Sequence, residues 1–138
     1  MVRVDYQFSF SYRQLESGRF PIIQVRITRQ DDPEVGIETE AYIDSGAEGS
    51  LFNGDLLAAL EIELINNKRK FYGSTAGDSI TAYLHAVRLS LPDAGDFNLE
   101  IGFSEGRIRR NLLGRDFFNL VQIGFREHQL EYYLHPTP

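Results

Sequence analysis

The sequence contains no cysteine, which excludes a disulfide framework and any thiolate zinc site and fits a reducing, cytoplasmic compartment. Its three histidines, His85, His128 and His135, are scattered without ligand spacing, so neither a metal site nor a cofactor is expected. No segment approaches the ~18 consecutive apolar residues of a membrane-spanning helix. The opening MVRVDYQFSF alternates polar and apolar residues, so it lacks the continuous apolar core of a signal peptide, and no membrane partner is expected. Positive charge is in the minority: 14 Lys and Arg against 20 Asp and Glu leave a net charge of -6. That balance argues against a nucleic-acid partner. The small basic clusters, Lys68-Arg69-Lys70 and Arg107 with Arg109 and Arg110, flank turn-like sequence and read as solvated loops.

What is present describes a mainly β chain. Its 138 residues, 42% hydrophobic, suit one domain spanning residues 1–138 with a single core, and no repeat or linker divides it. Tyr 7 and Phe 10 favour strands. Apolar residues at every even position from Val2 to Tyr12 predict one long strand with a buried face. After the turn SGRFP, Ile23, Val25 and Ile27 alternate in a second strand. A third, with Ile37, Thr39, Ala41 and Ile43, follows the break DDPEVG and delivers Asp44. Asn53-Gly54-Asp55 before LLAAL predicts a capped short helix. FYGSTAGDS predicts a hairpin tip. From Ile80 to Leu91 the apolar phase moves from even to odd positions, which predicts a bulge or bend. Strands through Phe97–Phe103, Val121–Phe125 and Leu130–Leu134 complete about eight, with a short helix after LLGR.

Two stretches carry chemistry. AYIDSGAEGSLF runs an apolar strand into Asp44-Ser45-Gly46-Ala47, and alone it reads equally as a tight turn, because Asp, Ser and Gly each suit one. NLLGRDFF comes late, after the hairpin. In that order, Tyr42-Ile43-Asp44-Ser45-Gly46-Ala47, then FYGSTAGDS, then Leu112-Leu113-Gly114-Arg115-Asp116 resemble the retropepsin-like aspartic proteases, the family that includes the retroviral proteases. The resemblance covers roughly residues 20 to 134.

The resemblance implies an all-β fold, a closed acid-protease barrel with one or two short helices, and an endopeptidase. Hydrolysis without metal or nucleophile needs one carboxylate to take a proton from water and another acid to give one to the carbonyl. Two carboxyls about 3 Å apart share a proton and divide those roles. Asp44 would be the catalytic residue, with Ser45, Gly46 and Ala47 forming the active-site loop. Tyr72, Gly73, Ser74, Thr75, Ala76 and Gly77 would form a flap over the substrate. Asp78-Ser79-Ile80 and Asp93-Ala94-Gly95 do not supply a second Asp-Thr/Ser-Gly. A homodimer presenting Asp44 twice on a two-fold axis would. The partners implied are a second copy of the chain and a peptide or protein substrate. Among apolar neighbours, Arg115 is expected to be buried, with Glu48 as the partner that such an arginine needs. Ser45 or Ser50 as a nucleophile would require a paired histidine, which the sequence does not place. The alternative to an enzyme is a catalytically silent module of this fold that dimerises or binds peptides.

Overall fold

The computed structural model describes residues 3–73 and 77–138. Among these residues twelve strands form: β1 (Phe8–Ser11), β2 (Arg13–Leu15), β3 (Gly18–Phe20), β4 (Ile22–Thr28), β5 (Gly36–Ile43), β6 (Leu51–Asn53), β7 (Arg69–Gly73), β8 (Ser79–Leu91), β9 (Gly95–Ser104), β10 (Leu112–Leu113), β11 (Gln122–Arg126) and β12 (Glu131–His135). A 3-10 helix spans Gly54–Leu60, another spans Glu127–Gln129, and an α-helix, α1, is the single turn Arg115–Phe118. Among the described residues no helix is long and apolar enough to cross a membrane.

The main sheet runs β4-β5-β10-β6-β9-β8-β7, and β4 also pairs with β8. That extra pairing, Ile27 opposite Leu89, closes the sheet into a barrel. β7 is left outside, as one arm of a hairpin with β8. Closure removes two edges that would otherwise expose unpaired backbone. Inside lie Ile23, Val25, Ile27, Ala41, Ile43, Val87, Leu89, Ile101 and Phe103, all at most 2% exposed. These are the alternate residues of β4, β5, β8 and β9, as a period of two requires. Phe117 of α1 and Leu57 and Leu60 of the first 3-10 helix cap the same core. A second sheet, β1-β12-β11, packs through Tyr132 and Leu134.

Three expectations need correction. The single strand over residues 2–12 is only four residues long, because register with β12 begins at Phe8↔Leu134 and nothing pairs the described residues before it. Tyr6 instead lays its ring 5.9 Å from Tyr133. Beyond Tyr12 the chain forms the hairpin β2–β3, where a turn alone was expected. The bulge in β8 is absent: its register with β9 is unbroken from Ala82↔Ser104 to Leu91↔Gly95. The apparent phase shift arises because both faces of the first half of β8 carry apolar residues. Tyr83 and His85 share the inward face with Val87, and Ile80 lies on the other.

Asn53 was expected to cap the first short helix, yet its side chain makes no cap bond. It is used elsewhere. Asn111, 8% exposed, accepts from Asn53 N at 2.9 Å and Asn53 Nδ2 at 3.1 Å through Oδ1. Its Nδ2 donates to Thr39 Oγ1 at 3.1 Å and Glu40 O at 2.9 Å. Asn53 Oδ1 in turn accepts from Ile108 N at 2.9 Å. One buried amide thus ties β5, β6 and the loop before β10. Asn111→Leu keeps the volume but orphans Asn53 N and the Glu40 carbonyl, and should cost about 1–3 kcal/mol in chemical denaturation.

Burial also raises the pKa values of two tyrosines, Tyr132 of β12 and Tyr12 just past β1. Tyr12 is pushed up to about 12, by desolvation first and then by its hydrogen bond to Glu127. Tyr132 is raised by desolvation. The folded state therefore holds these protons after the unfolded chain, with ordinary tyrosines near 10, has released them. Stability should fall as pH rises above about 10, and the phenolate absorbance of the folded protein should develop late for these groups.

Candidate active site

β5 ends at Ile43, and the next residue is Asp44. The tiny strand β10 lies parallel to β5, with Leu112↔Tyr42 and Leu113↔Ile43 in register, and antiparallel to β6. It continues the ladder one step past the strand end, since Asp44 N donates to Leu113 O at 2.9 Å. The carboxylate is half-buried, and its Oδ1 accepts from Gly46 N at 2.8 Å. Ala47 N donates back to Asp44 O at 3.2 Å. The turn is therefore organised around Asp44, which is fixed by backbone on one side and open on the other. Ser45 and Gly46 are exposed, and the Ser45 hydroxyl has no partner among the described residues.

The far end of the loop is held by a different set. Ser50 is fully buried. Its N and Oγ donate to the two oxygens of Asp116, at 3.0 and 2.6 Å, and its Oγ accepts from Gly114 N at 3.0 Å. Asp116 also accepts from Phe117 N at 2.8 Å in the first turn of α1. Arg115 N donates to Ala47 O at 2.8 Å. Gly114 must be glycine for this contact, because a Cβ there would lie 2.6 Å from Ala47 O and 2.9 Å from the Gly49 backbone.

This corrects the expected Glu48–Arg115 pair. Both side chains are exposed, both line one shallow cavity, and they form no ion pair among the described residues. α1 sends Phe117 into the core and Asp116 toward Ser50, which leaves Arg115 pointing out. The link between the late helix and the Asp44 loop is real, but Asp116 carries it. Ser50 is likewise excluded as a nucleophile, being buried and bonded to a carboxylate. Gly114, Asp116 and Ser50 were legible only as neighbours in their motifs.

The β7–β8 hairpin stands over the loop, with Tyr72↔Ile80 and Gly73↔Ser79 in register. Ser74, Thr75 and Ala76 lie outside the described residues. Gly77 has φ +88, a conformation that favours glycine. Tyr72 reaches down and donates to Ser50 O at 3.1 Å. A Cβ on Gly102 would meet the Tyr72 hydroxyl at 2.3 Å, so the phenol occupies space that only glycine leaves. Desolvation, and then the Asp116 charge, push the Tyr72 phenol up to about 12, so it is a neutral donor at ordinary pH. Between hairpin and loop lies a cleft of about 480 Å³, lined by Asp44, Ala47, Gly49, Tyr72, Ile80 and Leu112 among others. Among the described residues no cluster of His, Asp and Glu could hold a metal.

Asp116→Ala removes the acceptor of three donors and should destabilise by about 2–3 kcal/mol, whereas Arg115→Ala should stay within about 0.5 kcal/mol. Denaturant titration of the two variants beside the parent checks the order.

No family model matches the chain, and no curated protein matches it. Solved structures do. EIAV protease, complexed with an inhibitor, aligns over 77% of this chain and 91% of its own, with a TM-score of 0.56 and 16% identity. A retropepsin-like aspartic protease from Rickettsia conorii aligns over 98% of this chain and 97% of its own, with a TM-score of 0.62 and 10% identity. With the closed barrel, the Asp44 loop beside β10 and the hairpin above them, the protein has the fold of the retropepsin-like aspartic proteases.

Proposed function

We propose that the protein is an aspartic endopeptidase, active as a homodimer in which each subunit contributes Asp44 to one shared site. The observation that carries this reading is the setting of Asp44. Its backbone is fixed at the end of β5 by Leu113, and its carboxylate faces a cleft roofed by the β7–β8 hairpin. The same setting also leaves the site half-made, since the one other carboxylate lining that cleft is the exposed Glu48.

A two-fold axis at Asp44 supplies the missing acid, because such an axis sets a residue against its own copy. The two carboxyls share one proton. The charged one takes a proton from the attacking water, and the protonated one donates to the carbonyl oxygen as the tetrahedral intermediate forms. The exposed Ser45 is free to hydrogen-bond with the partner loop. An extended peptide fits the cleft as an added strand between hairpin and loop. The hairpin acts as the flap, with Tyr72 anchoring it close to its tip.

Activity then depends on association. Specific activity should fall on dilution through the range in which sedimentation shows the dimer dissociating. The rate should be bell-shaped in pH, since the pair works with one proton and fails with none or two. Asp44→Asn should abolish hydrolysis, measured by digestion of a peptide library, while the melting temperature stays level or rises slightly as like charges at the axis are relieved. A folded, dimeric Asn variant that cuts at the parent rate overturns the reading. A parent that dimerises and binds peptides without cutting them is the silent module instead.

A further inference from the structure

The cleft does not end at Leu112. Leu51, Ile80 and Leu112 also line a second cavity of about 460 Å³ that continues past the hairpin to Phe20, Ile108, Arg109 and Arg110. The groove is therefore apolar along its middle and cationic at this end.

Arg110 is placed with care. Its guanidinium carbon lies 4.6 Å from the Phe20 ring centre and 5.7 Å from that of Tyr42. Contact with two rings holds the guanidinium beside the cavity, where its N–H donors can meet a carboxylate in the paired geometry that suits arginine. Arg110 makes no ion pair or hydrogen bond among the described residues, and neither does Arg109. Elsewhere carboxylates take up Arg13, Arg29, Lys68 and Arg88. Glu40 is engaged by Arg13, and Glu16 shares a cavity with Arg109 and Arg110 but forms no ion pair with either among the described residues. In the Asp44 cleft Lys70 sits over the Tyr72 ring, 4.8 Å from its centre, and forms no ion pair among the described residues.

We propose that this groove selects extended peptides carrying a glutamate or aspartate, whose carboxylate seats on Arg110 while neighbouring apolar side chains lie along Leu51, Ile80 and Leu112. Alternate side chains of an extended peptide point the same way, so one strand can present an apolar and an acidic residue to the same wall. The inference deepens the peptidase reading and rests on it for the identity of the groove. Its physical content is a specificity that apolar packing alone does not give.

The test uses libraries of synthetic peptides in which one position at a time is fixed as Glu, Gln or Lys. Binding is measured on the Asp44→Asn protein, so that recognition is read without hydrolysis, and cleavage on the parent. At one position Glu should bind about tenfold tighter than Gln, the scale of a charge-assisted hydrogen bond, and Lys should be weakest. Added salt should shrink the difference. In Arg110→Gln the Glu-to-Gln ratio should fall to about one, and Arg110→Lys should keep part of it, with thermal melts confirming that both variants fold. A ratio of one at every position, a ratio untouched in Arg110→Gln, or no peptide binding at all overturns the proposal. Glu-selective binding without cleavage by the parent sustains the selectivity and sinks the peptidase. Cleavage without charge preference does the reverse.

Discussion

The Asp44 loop depends on one buried serine whose polar groups are all committed. Ser50 donates twice to Asp116, accepts from Gly114 N at its hydroxyl, and accepts at its carbonyl from both Tyr72 and Gly102 N. Four parts of the chain meet on it: the loop from residues 44 to 50, the entry to α1, the β7–β8 hairpin near its tip, and β9 at Gly102. Each partner satisfies a group that burial would otherwise leave costly, so the network holds together or fails together. Asp44 inherits its position from that network, because both ends of its loop are pinned.

Close approach is the second requirement. Gly114 lets the start of α1 press against the Ala47 and Gly49 backbone, and Gly102 leaves the slot that the Tyr72 phenol fills. Neither has a positive φ, so what each contributes is the absence of a Cβ and not backbone freedom. Asp116 then works as a short acceptor at a helix start, where it reaches backbone N–H groups that a long side chain would overshoot. This explains why the adjacent arginine, with the more conspicuous charge, points away.

The barrel was legible in the sequence because alternation is a local signal with a period of two, and β4, β5, β9 and β12 follow it closely. Asp44 at a strand exit, and the LLG run beside it, were legible through their order along the chain. The rest depended on pairing. Residues 2–12 alternate throughout, yet of the described ones only those with β12 alongside become strand, and alternation does not say where a partner stops. The phase shift in β8 has the opposite cause. Residues 80–84 face the core on one side and, through Ile80, the cleft on the other, so apolarity there marks two surfaces instead of a bulge. The choice between Arg115 and Asp116 turned on which way a four-residue helix faces, and so short a stretch carries no period to read.

β8 supplies the remaining connection. Its second half closes the barrel against β4, with Ile27 opposite Leu89, and its first half is one arm of the hairpin above Asp44. The roof of the cleft is therefore an extension of the barrel wall, joined to it by continuous backbone and an unbroken ladder with β9 from Ala82 onward. Interiors packed at native density transmit displacement instead of absorbing it. A cavity opened at Leu89, deep in the closure, would loosen the same strand that sets the height of Tyr72 and Ile80 over the loop. The hairpin is thus held twice, at its root by core packing through β8 and near its tip by the Tyr72 hydroxyl on Ser50. The groove that runs from Asp44 to Arg110 is shaped by those two constraints acting on one strand.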